Sequence, residues 1–197
     1  VESFVHRNDY LDHLVPHMID TFGKSESDGK NAYLVRISVS GVLKLLNDRF
    51  GDAAGNVFIR HLFDRIIAVN KQLEVGDLAW YDLYRKGGDF ELTIVGDEAQ
   101  AQALINALTQ ALAGTYTEGG HVYNLQPTVV SKIIDMQTID GQTVVDKAEL
   151  EARFGAVESD LAQAEWYETV RRQTNLMFVD DSELQTALSY YDPYDKR

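Results

Sequence analysis

The sequence predicts an α/β or α+β chain in which a central, mostly antiparallel sheet is flanked by helices. Three observations lead to this class. Short β-branched or alternating runs are interspersed with longer runs whose apolar residues recur at steps of three and four. A glycine pair, Gly87 and Gly88, separates two of the strand-like runs, as in a tight hairpin. The helical runs are apolar on one face only, so a sheet is needed to cover that face.

Composition restricts the class of protein and its partners. The chain has 197 residues, of which 45% are hydrophobic and 25% charged, as is typical of one globular domain. The net charge of -13 argues against a nucleic acid as the main partner, because a phosphate backbone binds a basic surface. Without cysteines or an apolar run of membrane-spanning length, we expect a cytoplasmic domain. Since the chain begins with Val1, we expect it to be part of a longer protein, which could be a membrane protein.

Capping residues and apolar spacing in the first half of the chain predict three helices and one strand. Asn8 is a typical helix cap, and Gly51 is a typical helix end. The mostly apolar, β-branched run before Ser40 suits a buried central strand. The predicted elements are a helix over residues 8–20, a loop over 23–31, a strand over 32–39, a helix over 42–50, a connection over 51–56 and a helix that runs on to Asn70.

A β-hairpin is predicted around Gly87 and Gly88. It joins an aromatic-rich run over residues 78–84 to an alternating run over residues 90–95. Glycine is favoured in such a turn because the backbone needs positive φ angles there. Asp89 follows the two glycines, and a carboxylate is a suitable ligand for a hard cation such as Mg²⁺. A turn of this composition is most often only a hairpin, so a phosphate-handling site needs further support.

The second half alternates helices and strands up to a tyrosine-rich tail. Asp97 is the expected cap of a helix over residues 98–113, which Gly114 ends. The other predicted elements are strands over 121–126 and 129–134, a loop over 137–155 with some helix around 147–153, a helix over 159–172 and a strand over 175–179. We expect one domain over residues 1–180 and a tail or linker over residues 181–197.

The order of elements and three separate motifs resemble the GGDEF domain, the family of diguanylate cyclases that condense two GTP molecules into cyclic di-GMP. The signature Arg-x-Gly-Gly-Asp-Glu-Phe is matched by residues 85–91, Arg-Lys-Gly-Gly-Asp-Phe-Glu, with the last two exchanged in order. The motif Phe-Lys-x-x-Asn-Asp-x-x-Gly-His-x-x-Gly-Asp is matched by residues 43–56, Leu-Lys-Leu-Leu-Asn-Asp-Arg-Phe-Gly-Asp-Ala-Ala-Gly-Asn. A third motif, near the C-terminus, is set against residues 162–175. The resemblance covers about residues 4–179.

The resemblance implies roles for individual residues. In the family, two divalent ions neutralise the GTP phosphates and activate the attacking 3′ hydroxyl. By position, Asp89 is the metal-facing carboxylate, with Mg²⁺ as the expected ion, and Asn47 reads guanine. The further nucleotide-binding residues expected are Asn56, Gly87, Gly88, Lys44 and Arg171.

Three positions depart from the family pattern at the expected metal site, in the signature and at the guanine site. Where the first strand of the family ends in Asp-x-Asp, this chain reads Ser38-Val39-Ser40-Gly41, without a carboxylate. A serine hydroxyl is a weak metal ligand, so a two-metal clamp would lose charge stabilisation. Phe90 stands in place of the signature glutamate, and Asn56 stands in place of the aspartate that reads guanine.

The phosphate-binding and inhibitory motifs of the family are also altered. In the C-terminal motif, Val170 and Thr174 stand where basic residues are expected, and Arg171 and Arg172 are close enough to substitute. The inhibitory Arg-x-x-Asp of the family falls on Leu-Ala-Trp-Tyr at residues 78–81. Product feedback through that site is therefore not expected.

These departures leave three interpretations open. In the first, the chain is a degenerate GGDEF domain that makes no product and regulates by binding GTP, cyclic di-GMP, or a flanking sensor or EAL phosphodiesterase domain. In the second, it is an active cyclase that works as a facing homodimer, in which Asp48 or Asp52 could help to rebuild the metal site around the catalytic carboxylates Asp89 and Glu91. This requires both to share one face of their strand. In the third, it is an interaction scaffold without nucleotide, whose surface is formed by Trp80, Tyr81 and Tyr84 or by Tyr190 and Tyr191 in the tail. Core packing or an ordinary surface position is the more common role of such aromatic residues.

Overall fold

Five helices and six strands make up the part of the chain that a computed structural model describes, which is residues 4–23, 30–39, 41–73, 83–86, 89–137, 142–144 and 146–173. The elements are α1 (Arg7–Gly23), β1 (Asn31–Ser38), α2 (Val42–Phe50), α3 (Asp52–Leu73), β2 (Tyr84–Lys86), β3 (Asp89–Gly96), α4 (Glu98–Leu112), β4 (Gly114–Glu118), β5 (His121–Leu125), β6 (Thr128–Ile134) and α5 (Lys147–Gln173). Within these ranges, no helix has the length and apolar character needed to cross a membrane.

The main sheet has four antiparallel strands in the order β2-β3-β1-β6. Strand β1 lies inside this sheet between β3 and β6, and it is buried from Ala32 to Ser38. This confirms the predicted central strand. Strands β4 and β5 form a separate two-stranded sheet. The predicted class, a mostly antiparallel sheet flanked by helices, is confirmed.

Each side of the main sheet carries its own apolar core, because successive strand residues face opposite sides. Helices α2, α3 and α4 cover the side that holds Val35, Ile37 and Leu92. Helices α1 and α5 cover the side that holds Leu34 and Val95. This second side, which we call the polar side, also carries a group of buried charged and hydroxyl side chains.

The segment before α1 lies along the outer edge of the main sheet. The backbone N–H of Val5 donates to the carbonyl of Leu83 at 2.9 Å, and Val5 forms a parallel bridge with Tyr84. The ring of Phe4 stacks on that of Phe90, with centroids 4.6 Å apart. The segment therefore covers backbone groups that edge strand β2 would otherwise expose.

Two local signals in the sequence are confirmed at the residue level. Helix α2 spans residues 42–50, as predicted, and the N–H of Gly51 bonds back to the carbonyl of Asn47. Asp97 caps α4 through a capping box, in which its side chain accepts from the N–H of Gln100 and the Gln100 side chain accepts from the N–H of Asp97. Both signals act within a single helical turn, so no distant contact is needed to produce them.

Several predicted boundaries are wrong. Helix α1 begins at Arg7, so Asn8 lies inside it, and α3 begins at Asp52, so the connection predicted over 51–56 is mostly helical. Helix α4 ends at Leu112, one residue before the predicted end, and Gly114 after its C-cap also opens β4, a strand that was not predicted. Helix α5 begins at Lys147, in the stretch predicted to contain some helix, and continues through Gly155 into the helix predicted over 159–172, because packing outweighs the poor helix propensity of Gly155. The predicted strand over 175–179, the tail over 181–197 and the aromatic run over 78–82 lie outside the described residues.

Two glycines inside helices give opposite expectations on replacement by alanine. Gly155 in α5 has no atom within 4 Å of the position of an added Cβ, whereas at Gly55 in α3 that Cβ would lie 1.8 Å from Oδ1 of Asn47. Because alanine loses less backbone entropy in a helix, we expect Gly155→Ala to raise the free energy of unfolding by about 0.5–1 kcal/mol. Gly55→Ala should bring no gain, since Asn47 must move aside. Urea denaturation checks both variants, and an equal gain at the two sites would contradict the expectation.

Candidate functional site

The predicted hairpin brings Asp89 to the start of β3. Strands β2 and β3 pair antiparallel, and Lys86 lies opposite Asp89. Two residues, Gly87 and Gly88, connect the strands, and both lie outside the described residues. The hairpin is confirmed. The side chain of Asp89, which lies next to the turn, is 24% exposed.

A buried arginine links Asp89 to Glu91 on the polar side of the sheet. The register of β1 and β3 places Arg36 opposite Glu91 and Ser38 opposite Asp89. Nη1 of Arg36 donates to Oε1 of Glu91 at 2.6 Å, and Nη2 donates to Oδ2 of Asp89 at 2.7 Å. The Arg36 side chain is 9% exposed and that of Glu91 is fully buried. Asp89 and Glu91 therefore share one face, and a permanent cation lies between them.

Tyr84 extends this network to the helices on the polar side. Its hydroxyl is hydrogen-bonded to Oε2 of Glu91 and lies 2.6 Å from Oε2 of Glu158 on α5. Glu158 in turn accepts from Nε of Arg7 on α1 at 2.8 Å. The chain of contacts thus runs from β1 through β3 and β2 to both covering helices.

The three acidic groups of this network, Tyr84, Glu91 and Glu158, need more than the one proton of the Tyr84 hydroxyl to satisfy their contacts. The Tyr84 hydroxyl has one hydrogen but meets two carboxyl groups, so both contacts are favourable only when Glu91 or Glu158 carries a proton. Burial raises the pKa of Glu91, and the charge of Glu158 adds to the rise, against the bonds from Tyr84 and Arg36. Burial and the two neighbouring carboxylates also raise the pKa of Tyr84, so its phenol stays neutral.

A fourth carboxyl, that of Glu165, reaches the end of β1 from α5. Burial raises its pKa, the charge of Asp89 raises it further, and hydrogen bonds from Thr169 and Ser38 act in the opposite direction. The Thr169 hydroxyl donates to Oε1 of Glu165 at 2.9 Å. Glu165 thus supplies a carboxyl beside Ser38, at the strand end where the sequence has none.

The side chains present do not fit a divalent ion between Asp89 and Glu91. One oxygen of each carboxylate already accepts from Arg36, and the other oxygen of Glu91 bonds to Tyr84. Ser38 offers only a hydroxyl, which is bonded to Glu165. Over the described ranges, no group of three or more histidine, aspartate or glutamate side chains is arranged to hold a metal ion. Magnesium binding by Asp89 stays a prediction from the resemblance.

The residues expected to bind nucleotide are divided between two places. Asn47 on α2 lies against Gly55 on α3, and the exposed Asn56 follows that glycine. Oδ1 of Asn47 is buried and has no hydrogen-bond partner among the described residues. Lys44 is exposed on α2, whereas Arg171 is exposed in the last turn of α5, where it pairs with Glu168 at 3.6 Å. Asn47 and Asn56 lie on α2 and α3, which cover one side of the main sheet, whereas Arg171 lies on α5, which covers the other side.

The sequence reasoning missed five residues of the polar network, which are Arg7, Arg36, Tyr84, Glu158 and Glu165. A signal was present for some of them. Arg36 interrupts an apolar strand, and Glu158 and Glu165 are seven residues apart, so they lie on one face of a helix. Nothing in the sequence paired these positions with Asp89 and Glu91.

Replacing Tyr84 with phenylalanine, which removes the hydroxyl, should lower the stability of the protein. Two buried carboxyl groups would lose their shared partner, but the hydroxyl can donate to only one of them, and one hydrogen bond to a charged group contributes about 1.5–3 kcal/mol. We expect a decrease of about 2 kcal/mol in the free energy of unfolding. Tyr123→Phe is the matched control, because the Tyr123 hydroxyl is buried without a hydrogen-bond partner in the described part of the chain. Equal effects in the two variants, measured by denaturant titration, would contradict this role.

Because the pKa of Glu165 is raised in the folded protein, we expect stability to depend on pH. Its folded-state pKa is raised, so the folded state holds this proton more tightly than the unfolded state does. Stability is then lost as pH rises from the unfolded pKa, about 4.3, through the folded pKa. Glu165→Gln removes that loss, so the variant should exceed the wild type in unfolding free energy near pH 7.5 and lose most of that advantage near about pH 4. Thermal unfolding at both pH values measures this, and a pH-independent difference would count against it.

Comparison with known proteins identifies the fold. A scan against models of protein families and a search of curated proteins both give no match. The GGDEF domain of YfiN (TpbB) from Pseudomonas aeruginosa is 17% identical, with 84% of this chain and 92% of that chain covered and a TM-score of 0.59. A sensory box/GGDEF family protein from Caulobacter crescentus is 20% identical, with 80% and 95% covered and a TM-score of 0.54. Diguanylate cyclase SiaD from Pseudomonas aeruginosa, solved with its activator SiaC, is 13% identical, with 78% and 54% covered and a TM-score of 0.51. The chain has the fold of a GGDEF domain.

Proposed function

We propose that this chain is a GGDEF-type domain of cyclic-di-GMP signalling that makes no product and acts as a regulatory module. It binds GTP, or it contacts a partner such as a flanking sensor or EAL domain, in the cytoplasm. The GGDEF fold and the motifs around Asn47 and Asp89 support the family. The ion pairs of Arg36 with Asp89 and Glu91 support the loss of catalysis.

The observation that carries the proposal is the pairing of Arg36 with both Asp89 and Glu91. The cyclase reaction implied by the resemblance depends on divalent ions that bind phosphate and activate a hydroxyl. A guanidinium is a donor only and stays protonated, so it cannot coordinate and deprotonate a hydroxyl as a metal ion does. A site that holds Arg36 in this position therefore lacks the main source of acceleration in that reaction.

An active cyclase is the competing function, and one observation favours it. Asp89 and Glu91 do lie on one face of β3, which is the condition for a shared metal site. Glu91, however, is fully buried, and both of its carboxyl oxygens are bonded within the protein. A nucleotide phosphate could reach it only after Tyr84 and Arg36 had moved, so we favour the regulatory function.

Partner binding without nucleotide is the second alternative. SiaD, which shares the fold, was solved in complex with an activator protein, and this supports contact with a partner as a mode of regulation. Tyr84 is not a surface contact, because it is fully buried between the sheet and its covering helices, as core packing of these aromatic residues would require. Trp80 and Tyr81 lie outside the described residues, so their part in such a surface stays a prediction.

Asn47 supports binding of GTP. A buried acceptor without a partner costs free energy, and a ligand that donates to it recovers that loss. Guanine carries N–H donors on the edge that hydrogen-bonds in base pairs. Because Asn56 follows Gly55, against which Asn47 packs, a second amide is near the same region.

The proposal predicts saturable GTP binding without product. In calorimetric titration with GTP and magnesium, Asn47→Ala should weaken binding by roughly ten- to a hundredfold, as expected for lost hydrogen bonds in a buried site. Asn106→Ala, an exposed asparagine on α4, is the matched control and should bind as the wild type does. Cyclic di-GMP should be absent by chromatography at high protein concentration, where dimers would form. Product formation would overturn the proposal, and absence of binding in all variants would favour the partner-binding alternative.

A further inference from the structure

We propose that Arg36 is a resident cation that takes the place of a divalent metal ion, so that the polar side of this sheet is complete without metal. The inference concerns the protein without nucleotide and does not depend on whether GTP binds. We therefore expect that Asp89 and Glu91 do not form a site for Mg²⁺ or Mn²⁺ in the native chain.

The geometry of the arginine is the first argument. The two terminal nitrogens of Arg36 each serve one carboxylate, at 2.6 Å to Glu91 and 2.7 Å to Asp89. A planar guanidinium that bridges two carboxylates in this way fills the space between them and offsets one unit of their negative charge. An ion that coordinated both acids would have to occupy that same space.

The covalent attachment of this cation is the second argument. Arg36 belongs to a strand inside the sheet and pairs across it with Glu91, so its position is set by the register of β1 and β3. A bound ion exchanges with solvent, whereas this charge is covalently attached to the strand and cannot diffuse away. A divalent ion placed beside it would be repelled in surroundings that screen charge less than water does.

The state of the remaining oxygen ligands is the third argument. The second oxygen of Glu91 is bonded to the Tyr84 hydroxyl, and Tyr84 is also held by Glu158. Glu165, the next carboxyl along the network, accepts hydrogen bonds from Ser38 and Thr169. Metal binding would therefore break existing hydrogen bonds at each of these acids, and only Asp89 is partly exposed.

The first experiment compares the wild type with Asp89→Asn, without nucleotide, by electron paramagnetic resonance titration with Mn²⁺. An acidic chain of net charge -13 binds some Mn²⁺ weakly at its surface, and this background should be the same in both proteins. We expect no difference between the two titrations. A single tighter site in the wild type that is lost in Asp89→Asn would overturn the proposal.

The second experiment removes the resident cation. Arg36→Met keeps the apolar stem, and Arg36→Gln keeps hydrogen-bond donors without the charge; both should bind Mn²⁺ more tightly than the wild type, by roughly tenfold or more. Added Mn²⁺ should raise their thermal midpoints but not that of the wild type. Asp89→Asn in either background should abolish the gain.

The matched control is Arg60→Met, since Arg60 pairs with Asp64 on the surface and both side chains are more than half exposed. This variant should keep the weak Mn²⁺ binding of the wild type. If Arg36→Met and Arg36→Gln fold and neither gains a manganese site, the proposal is wrong. If neither variant folds, the comparison of the wild type with Asp89→Asn decides.

Discussion

The bridge from Arg36 to Asp89 and Glu91 is the interaction on which the polar side of the sheet depends. Moving such charges out of water is costly, so a buried pair adds little net stability, whereas loss of one partner typically costs about 3–5 kcal/mol. The bridge is better understood as a constraint on register. A shift of β3 by one residue would turn Glu91 toward the side that holds Val35 and Ile37. Arg36 would then be left without its main partner, so only one pairing of the two strands is favourable.

The elements that could be predicted from the sequence are those whose cause is local. The end of α2 at Gly51 and the cap of α4 at Asp97 each depend on residues within one turn. Helix α5 could not be predicted in full, because a central glycine and many polar residues lower its local propensity. It is held by burial of Leu150 and Phe154 in the core that it shares with α1. Tertiary packing therefore determines the extent of α5, where the local preference for helix is weak.

In the candidate site, too, the residues in local motifs could be predicted and their distant partners could not. Asp89 and Asn47 could be named from contiguous motifs, but the partners of Asp89 could not. Arg36 lies 53 residues before Asp89 and 55 before Glu91, and Tyr84 lies 74 before Glu158. Such contacts depend on strand register and on how α5 crosses the sheet, neither of which is written in any short stretch of sequence. A motif can thus identify a position while the surrounding contacts change what that position can do.

The N-terminal segment connects the start of the described chain to this network in a mechanical sense. Val5 is bonded to the residue before Tyr84, and Phe4 stacks on the residue between Asp89 and Glu91. A displacement of this segment would move β2 and β3 together. It would therefore disturb the hydrogen bonds between the Tyr84 hydroxyl and its two carboxyl partners. The short segment is therefore separated from the carboxyl network by only a few covalent and hydrogen bonds.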